Sequence, residues 1–318
     1  NRYDYTIINL DKLTYAGRLE NISTFETHPN HVFIKGDICD KGLLSKLFDQ
    51  YPITGIIHLA AESHVDNSIA NPDAFIQTNI VGTFQLLEAA KKAWANKKSD
   101  NPFDYRFHHV STDEVYGSLG PTGFFTETTP YQPNSPYSAS KASSDMLVRS
   151  YHKTYGLNTV MTNCSNNFGP RQHEEKLIPT IIRKALAHEM IPIYGNGQNV
   201  RDWLYVGDHC EAIDLVFHKG LTGETYNIGT HNELNNLEIC EKVCELLDKF
   251  KPWSHPYKTL IQFVTDRPGH DFRYAIDPSK IHQLGWKPKQ DFLSALRTTI
   301  LSYPEDEKWS LRGCETPE

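Results

Sequence analysis

Phe107-His108-His109-Val110-Ser111 runs into Thr112-Asp113-Glu114, the pattern of a short buried strand that ends in two adjacent carboxylates. Burying charge without partners is expensive, so paired acids at a strand end are poor core material. Downstream, Tyr137-Ser138-Ala139-Ser140-Lys141 sets a phenol and an ammonium one turn apart on a helix face. Around this stretch strands and helices alternate. Tyr5–Leu10, ending at Asp11, Val32–Asp37 and Gly55–Ala60 read as strands. Lys41–Gln50 and Ile76–Trp94 carry apolar residues at helical spacing. Such alternation predicts an α/β fold, a doubly wound parallel sheet of Rossmann type covered on both faces. Tyr205-Val206 and Glu224–Gly229 are expected to return to that sheet as later strands.

The predicted division follows from composition. Residues 1–165 form a cofactor domain, to which roughly 202–230 return. The proline- and loop-richer 166–201 and 231–318 form a smaller α/β substrate domain. The opening strand already ends in Asp11, the acidic residue that normally follows a first strand, glycine turn and helix. The chain is therefore expected to lack about one βα unit at its front. Gly117, Gly120 and Gly123 have glycine-motif spacing, but Pro121 interrupts them and no convincing helix follows.

The 318 residues, 39% hydrophobic and 22% charged, suit an ordinary enzyme of one or two domains. A net charge of −7 argues against a broad nucleic-acid surface. No apolar run approaches the roughly 20 residues of a membrane span, and the opening residues do not read as a secretory signal. Cysteines 39, 164, 210, 240, 244 and 314 lack CxxC spacing. Cys240 and Cys244 share a helix face but make a poor zinc site alone, so reduced structural thiols, no metal and a cytoplasmic setting are expected.

As bare spacing, Tyr137 and Lys141 are a weak signal, common on exposed helices. Ser111, Thr112 and the surrounding topology strengthen it. A phenol activated by a neighbouring ammonium accepts an alcohol proton, while Asp113 and Glu114 supply a separate acid and base. Together they suggest oxidation of a sugar hydroxyl coupled to an elimination. Asp113 and Glu114 as turn caps, and Asp11 as a turn aspartate, remain the alternatives.

Further matches extend from about Asp4 to Leu301. They include Asp11-Lys12-Leu13-Thr14-Tyr15-Ala16-Gly17, Leu59-Ala60-Ala61-Glu62-Ser63-His64-Val65-Asp66 and Ser111–Gly117. Ser135–Asp145, Asn163-Cys164-Ser165-Asn166-Asn167, Val200–Val206 and Asp266-Arg267-Pro268-Gly269-His270-Asp271 continue them. In these segments the chain resembles the extended short-chain dehydrogenase/reductases, and among them the dTDP-glucose 4,6-dehydratases. The resemblance implies Tyr137 as base at the glucose C4 hydroxyl, oriented by Lys141 and Thr112. It implies Glu114 as base at C5 and Asp113 as acid at the C6 hydroxyl. NAD is implied as cofactor, with Asp11 and Lys12 at the adenine ribose and Asp37 and Ile38 at adenine. Leu59, Ala60, Ala61, Thr78, Tyr137, Lys141 and Asn167 lie along it. An aspartate at position 11 favours NAD over NADP, because it repels a 2′-phosphate.

For dTDP-glucose itself, the implied contacts are Ser63, Thr112, Asn166, Lys176 and Leu177 around sugar and phosphates. Pro192, Ile193 and Tyr194 are implied at thymine, and Asn236 at the nucleotide. Arg201, Asp266, Arg267, Pro268, Gly269 and His270 are implied near diphosphate and ribose, where an arginine fork suits phosphate. A homodimer is implied as well. A 4-epimerase or decarboxylase of the same fold would share Tyr137 and Lys141, and a binding-only relative is a further alternative. Asp113 beside Glu114 favours dehydration, because epimerisation expels no hydroxyl.

Overall fold

The structure, a computed structural model, describes residues 3–303 apart from 96, 98 and 102; Cys314 lies outside them. The first half runs β1 (Ile7–Asp11), β2 (His31–Lys35), α1 (Lys41–Gln50), β3 (Gly55–His58), α2 (Val65–Ala70) and α3 (Asp73–Phe75). A π-helical segment (Ile76–Gly82), α4 (Thr83–Trp94), β4 (Arg106–Thr112), a 3-10 turn (Asp113–Tyr116), α5 (Pro136–Tyr155) and β5 (Asn158–Cys164) follow. The second half adds β6 (Asn166–Phe168), α6 (Leu177–Leu186), β7 (Ile191–Tyr194), β8 (Val200–Tyr205), α7 (Val206–Lys219) and β9 (Thr225–Ile228). It closes with β10 (Glu233–Asn235), α8 (Asn236–Phe250), β11 (Ile261–Val264), α9 (Ser279–Gln283) and α10 (Phe292–Leu301).

β3, β4, β5 and β9 pair in that order, all parallel, and β1 pairs in parallel with β2. β5 shows why the sheet is covered on both faces. Met161 packs with Leu44, Leu87, Phe107 and Val148 under α1, α4 and α5, while neighbouring Val160 packs with Ala212, Val216 and Ile228 under α7. Successive side chains point to opposite faces, and each buried aliphatic residue contributes about 1.5–3 kcal/mol. Ile178, Ile181, Ile193, Ile239, Val243 and Leu296 build a further core from α6, β7, α8 and α10.

One strand expectation needs correction. β8 does end at Tyr205, but it pairs with β6 and β10 rather than with the main sheet, and Val206 begins α7. The buried Asp202 carboxylate accounts for this placement, since it accepts from the backbone N–H groups of Thr230 and Asn232 and from the Thr230 hydroxyl. A buried charge of this kind needs such donors. The Ile76–Trp94 helix is also composite, opening with the π-helical segment.

The glycine match at 117–123 opens no helix. Gly117, at φ 91°, closes the 3-10 turn, and the carbonyls of Gly120 and Gly123 accept from Arg273. α5, in contrast, is well delimited. Ser135 and Ser138 form a reciprocal capping box, Pro136 occupies the first turn, and Gly156 ends the helix at φ 67°. No helix of the described residues is long and apolar enough to cross a membrane. Among them, Cys39, Cys164, Cys210, Cys240 and Cys244 are free thiols, and no cluster fit for a metal ion occurs.

Candidate active site

Thr112 ends β4 in extended conformation, and its hydroxyl accepts from the Glu114 N–H at 3.3 Å. Thr112, not either acid, therefore caps the 3-10 turn. Asp113 is 1% exposed, with Oδ1 3.4 Å from the Thr112 hydroxyl and Oδ2 buried without a partner. Burial, then the charges of Glu114 and Asp202, hold the Asp113 carboxyl well above the usual carboxylate range. Glu114 is also raised by burial, but Arg201, Arg267 and Lys176 all pull it back. Burial thus raises both carboxyls, but three nearby cations restrain Glu114 where Asp113 has only Arg201, an inequality of the kind that separates an acid from a base.

Tyr137 and Lys141 occupy the first turns of α5 and are both buried. The Tyr137 ring meets Phe75 edge-on at 6.3 Å between centroids. Burial pushes the phenol well above its ordinary value, Glu114 adds to this, and the Thr112 hydroxyl opposes it. The Lys141 ammonium donates to the Val110 carbonyl at 2.8 Å. This bond fixes the ammonium on the β4 backbone, one helical turn beyond the phenol.

Among the expected substrate residues, Lys176 donates to the Ser63 carbonyl at 2.8 Å and lies 3.2 Å from its hydroxyl. Arg201 is held by the carbonyls of Val200 and Asp271 and lies over the Tyr274 ring at 4.2 Å. Arg267 pairs with Asp66 at 3.3 Å, and the Tyr194 hydroxyl donates to the other Asp66 oxygen at 3.0 Å. His270 meets Asp266 at 2.7 Å across the exposed Pro268-Gly269 turn, where Gly269 takes φ 66°. The Asn166 side-chain oxygen is buried without a partner.

Three further expected residues are engaged within the fold itself. The Ile193 side chain belongs to the second core, since alternation along β7 puts it opposite Pro192 and Tyr194. Leu177 packs against the same core. Asn236 is the first residue of α8, and its N–H donates to the Asn199 carbonyl.

The expected cofactor residues lie mostly at strand ends. Asp11 closes β1 with Oδ1 accepting from the Leu13 N–H at 2.7 Å, and Lys12 pairs with Asp37 at 2.8 Å. Leu59, Ala60 and Ala61 follow β3, with Leu59 61% exposed, and Thr78 lies in the π-helical segment. Ile38 differs: its side chain is buried in the core and packs close to Gly82. The Asn167 amide is already engaged with Ser165, Cys164 and His209.

A family description of GDP-mannose 4,6 dehydratase matches residues 1–299. The chain belongs to that family. A dTDP-glucose 4,6-dehydratase of Xanthomonas campestris pv. campestris (strain B100) is 53% identical over 306 residues, covering 95% of this chain and 87% of the relative. The crystal structure of DesIV, a dTDP-glucose 4,6-dehydratase from Streptomyces venezuelae with NAD and TYD bound, superposes with a TM-score of 0.88. It is 43% identical and covers 97% of this chain and 90% of the other. A Thermotoga maritima UDP-glucose 4-epimerase with UDP-glucose superposes at 0.81 with 27% identity, covering 94% and 91%. Fold alone therefore does not separate dehydratase from epimerase.

Within this fold, three supporting groups escaped sequence reasoning. Asn79 accepts from the Glu62 N–H and donates to the Glu62 carbonyl and the Ser140 hydroxyl, bracing the cofactor edge against α5. Asp66 bridges Tyr194 and Arg267, and Asp145 lies buried behind Lys141. Only Asp145 left a signal, its place one helical turn after Lys141 on the same face.

Proposed function

We propose that this chain catalyses NAD-dependent dehydration of dTDP-glucose to dTDP-4-keto-6-deoxyglucose. The carrying observation is the Asp113–Glu114 pair, with Glu114 restrained by three cations and Asp113 by one, set beside Tyr137 and Thr112. Relatives and structures named as dTDP-glucose 4,6-dehydratases, at 43–53% identity over nearly the whole chain, support the same substrate.

The residues present suit NAD. Asp11 keeps a carboxylate oxygen beyond the one bonded to Leu13, an acceptor for a ribose diol. Asp11, Lys12 and Asp37 would hold the adenosine end, Leu59, Ala60, Ala61 and Thr78 the middle, and Tyr137 with Lys141 the nicotinamide end. When bound, NAD supplies the hydride acceptor at C4 and the donor at C6.

Tyr137 accepts the C4 hydroxyl proton as a phenolate, with Thr112 holding the hydroxyl group in place. The Lys141 ammonium and a bound nicotinamide cation would favour that phenolate against burial. Oxidation at C4 acidifies the C5 hydrogen, and Glu114 removes that proton. Asp113, held protonated, delivers its proton to the departing C6 oxygen, and water leaves. Glu114 then returns its proton to C5. Tyr137 gives up its proton and Asp113 regains one through solvent, so the enzyme is restored and the net change is loss of one water. Lys176, Arg201 and Arg267 hold the diphosphate and lower the cost of keeping Glu114 anionic beside it.

Incubation with dTDP-glucose and NAD is expected to give the 4-keto-6-deoxy product without net cofactor consumption, and NADP should not replace NAD. Formation of dTDP-galactose instead, or equal turnover with NADP, would refute the respective assignment.

The enzyme acts as a cytoplasmic homodimer in this proposal. The apolar side chains of Ile76, Phe84 and Met146 stay exposed on the π-helical segment, α4 and α5, a surface suited to a second copy. Light scattering that returned only the 36.3 kDa mass of one chain would exclude the dimer.

A further inference from the structure

Asp145 lies on α5 one turn beyond Lys141 and two beyond Tyr137, and it is 1% exposed. Its Oδ2 accepts from the Ser111 hydroxyl at 2.8 Å and the Tyr131 hydroxyl at 2.9 Å. Its Oδ1 stands 3.0 Å from His109 Nε2. His109 and Ser111 flank Val110 on β4, and the Val110 carbonyl is the group that takes the Lys141 ammonium. The carboxylate therefore bonds to β4 at Ser111 and lies against it at His109, on either side of the atom that anchors the lysine.

The charge arrangement points the same way. A buried carboxylate is costly unless an opposite charge matches it. His109 does not serve, since burial and Lys141 hold its imidazole below the usual range. Burial likewise pulls Lys141 down, and Asp145 is the first of the groups that pull it up.

We propose that Asp145 is a positioning residue for the alcohol-oxidation step, locking α5 in register on β4 so that the Lys141 side chain stays on the Val110 carbonyl. This rests on the roles proposed above for Tyr137 and Lys141. The other groups facing the pair are His109 from β4, His58 from β3, Cys164 from β5, Tyr116 from the 3-10 turn and Tyr131 from the following loop. On α5 itself stands Tyr137, which in turn feels Glu114 and Asp113 from the 3-10 turn. Asp145 is the carboxylate bonded directly to this β4 segment.

The test is single-turnover C4 oxidation by the NAD-loaded enzyme, followed against pH. Asp145→Asn removes the group that raises the Lys141 pKa, so Lys141 loses its proton at lower pH. The alkaline limb should move toward neutrality by about one unit or more, a roughly ten-fold loss at the former limb. Tyr131→Phe deletes a hydrogen bond but keeps the charge, so it should leave that limb in place. A folded Asp145→Asn variant with an unmoved limb overturns the inference, and so does an equal shift in Tyr131→Phe.

A second measurement needs no turnover. If Asp145 balances Lys141, then Asp145→Asn should lower Tm in the native chain and lower it less, or raise it, in a Lys141→Met background. Additive Tm changes would overturn the pairing. Full C4 oxidation by Lys141→Met would count instead against the proposed function of Lys141, leaving the Tm coupling to decide the role of Asp145.

Discussion

Glu114→Gln is expected to abolish exchange of the C5 hydrogen with solvent and, with it, dehydration. Loss of a positioned base costs about 10²–10⁴-fold in its step. The substitution nearly preserves size, so it tests the proton rather than the packing. Its effect on the preceding step has the opposite sign. The Glu114 charge is, after burial, the largest influence holding the Tyr137 phenol up. Removing that charge lowers the phenol's pKa, so C4 oxidation should not slow and its acid limb should shift to lower pH. Single-turnover nicotinamide absorbance reports C4 oxidation, and deuterium content at C5 after incubation in heavy water reports the second step. Normal C5 exchange in Glu114→Gln would remove Glu114 from the mechanism. Slowed C4 oxidation would show that its charge supports Tyr137 rather than opposing it.

The sequence made the elements of this site legible because their determinants are local. β4 was readable as a buried strand from its side chains, and α5 from the helical spacing of Tyr137 and Lys141. What it did not reveal depends on partners far along the chain. β8 leaves the main sheet because Asp202 finds its donors at Thr230 and Asn232. Lys141 turns to Val110, some 31 residues away. Ile193 and Tyr194 looked alike as thymine contacts, yet strand alternation sends one side chain into the second core and leaves the other exposed.

The same distinction governs the two acids. Asp113 and Glu114 are neighbours with nearly identical chemistry, so no local pattern could assign a proton to either. Their difference comes from β8, α6 and the 266–271 turn. Arg201, Arg267 and Lys176 oppose the rise of Glu114. For Asp113, only Arg201 of these three ranks among the largest influences, and Asp202 presses the other way. The proposed division of roles therefore rests on tertiary contacts carried on a sequence-legible frame.

Asp113→Asn is the most direct test of that division, and it predicts opposite changes in activity and stability. Activity should fall by about 10²–10⁴-fold at water loss, because an amide cannot deliver the proton that the C6 oxygen needs. C4 oxidation and C5 exchange should persist, so a 4-keto hexose would build up in single turnover. Stability should rise. The folded Asp113 carboxyl is held well above its ordinary value of 3.8, chiefly by burial. Between those two values the unfolded chain ionises the group more readily than the folded one, so raising the pH favours unfolding. Replacing the carboxyl by an amide removes that penalty. The Tm of Asp113→Asn should exceed the native value at neutral pH, by roughly 2–4 °C per kcal/mol recovered. The gap should shrink as the pH falls toward the ordinary carboxylate range. A lower Tm at neutral pH would mean that Asp113 is a satisfied structural group. Dehydration at the native rate would mean that the C6 oxygen takes its proton from elsewhere.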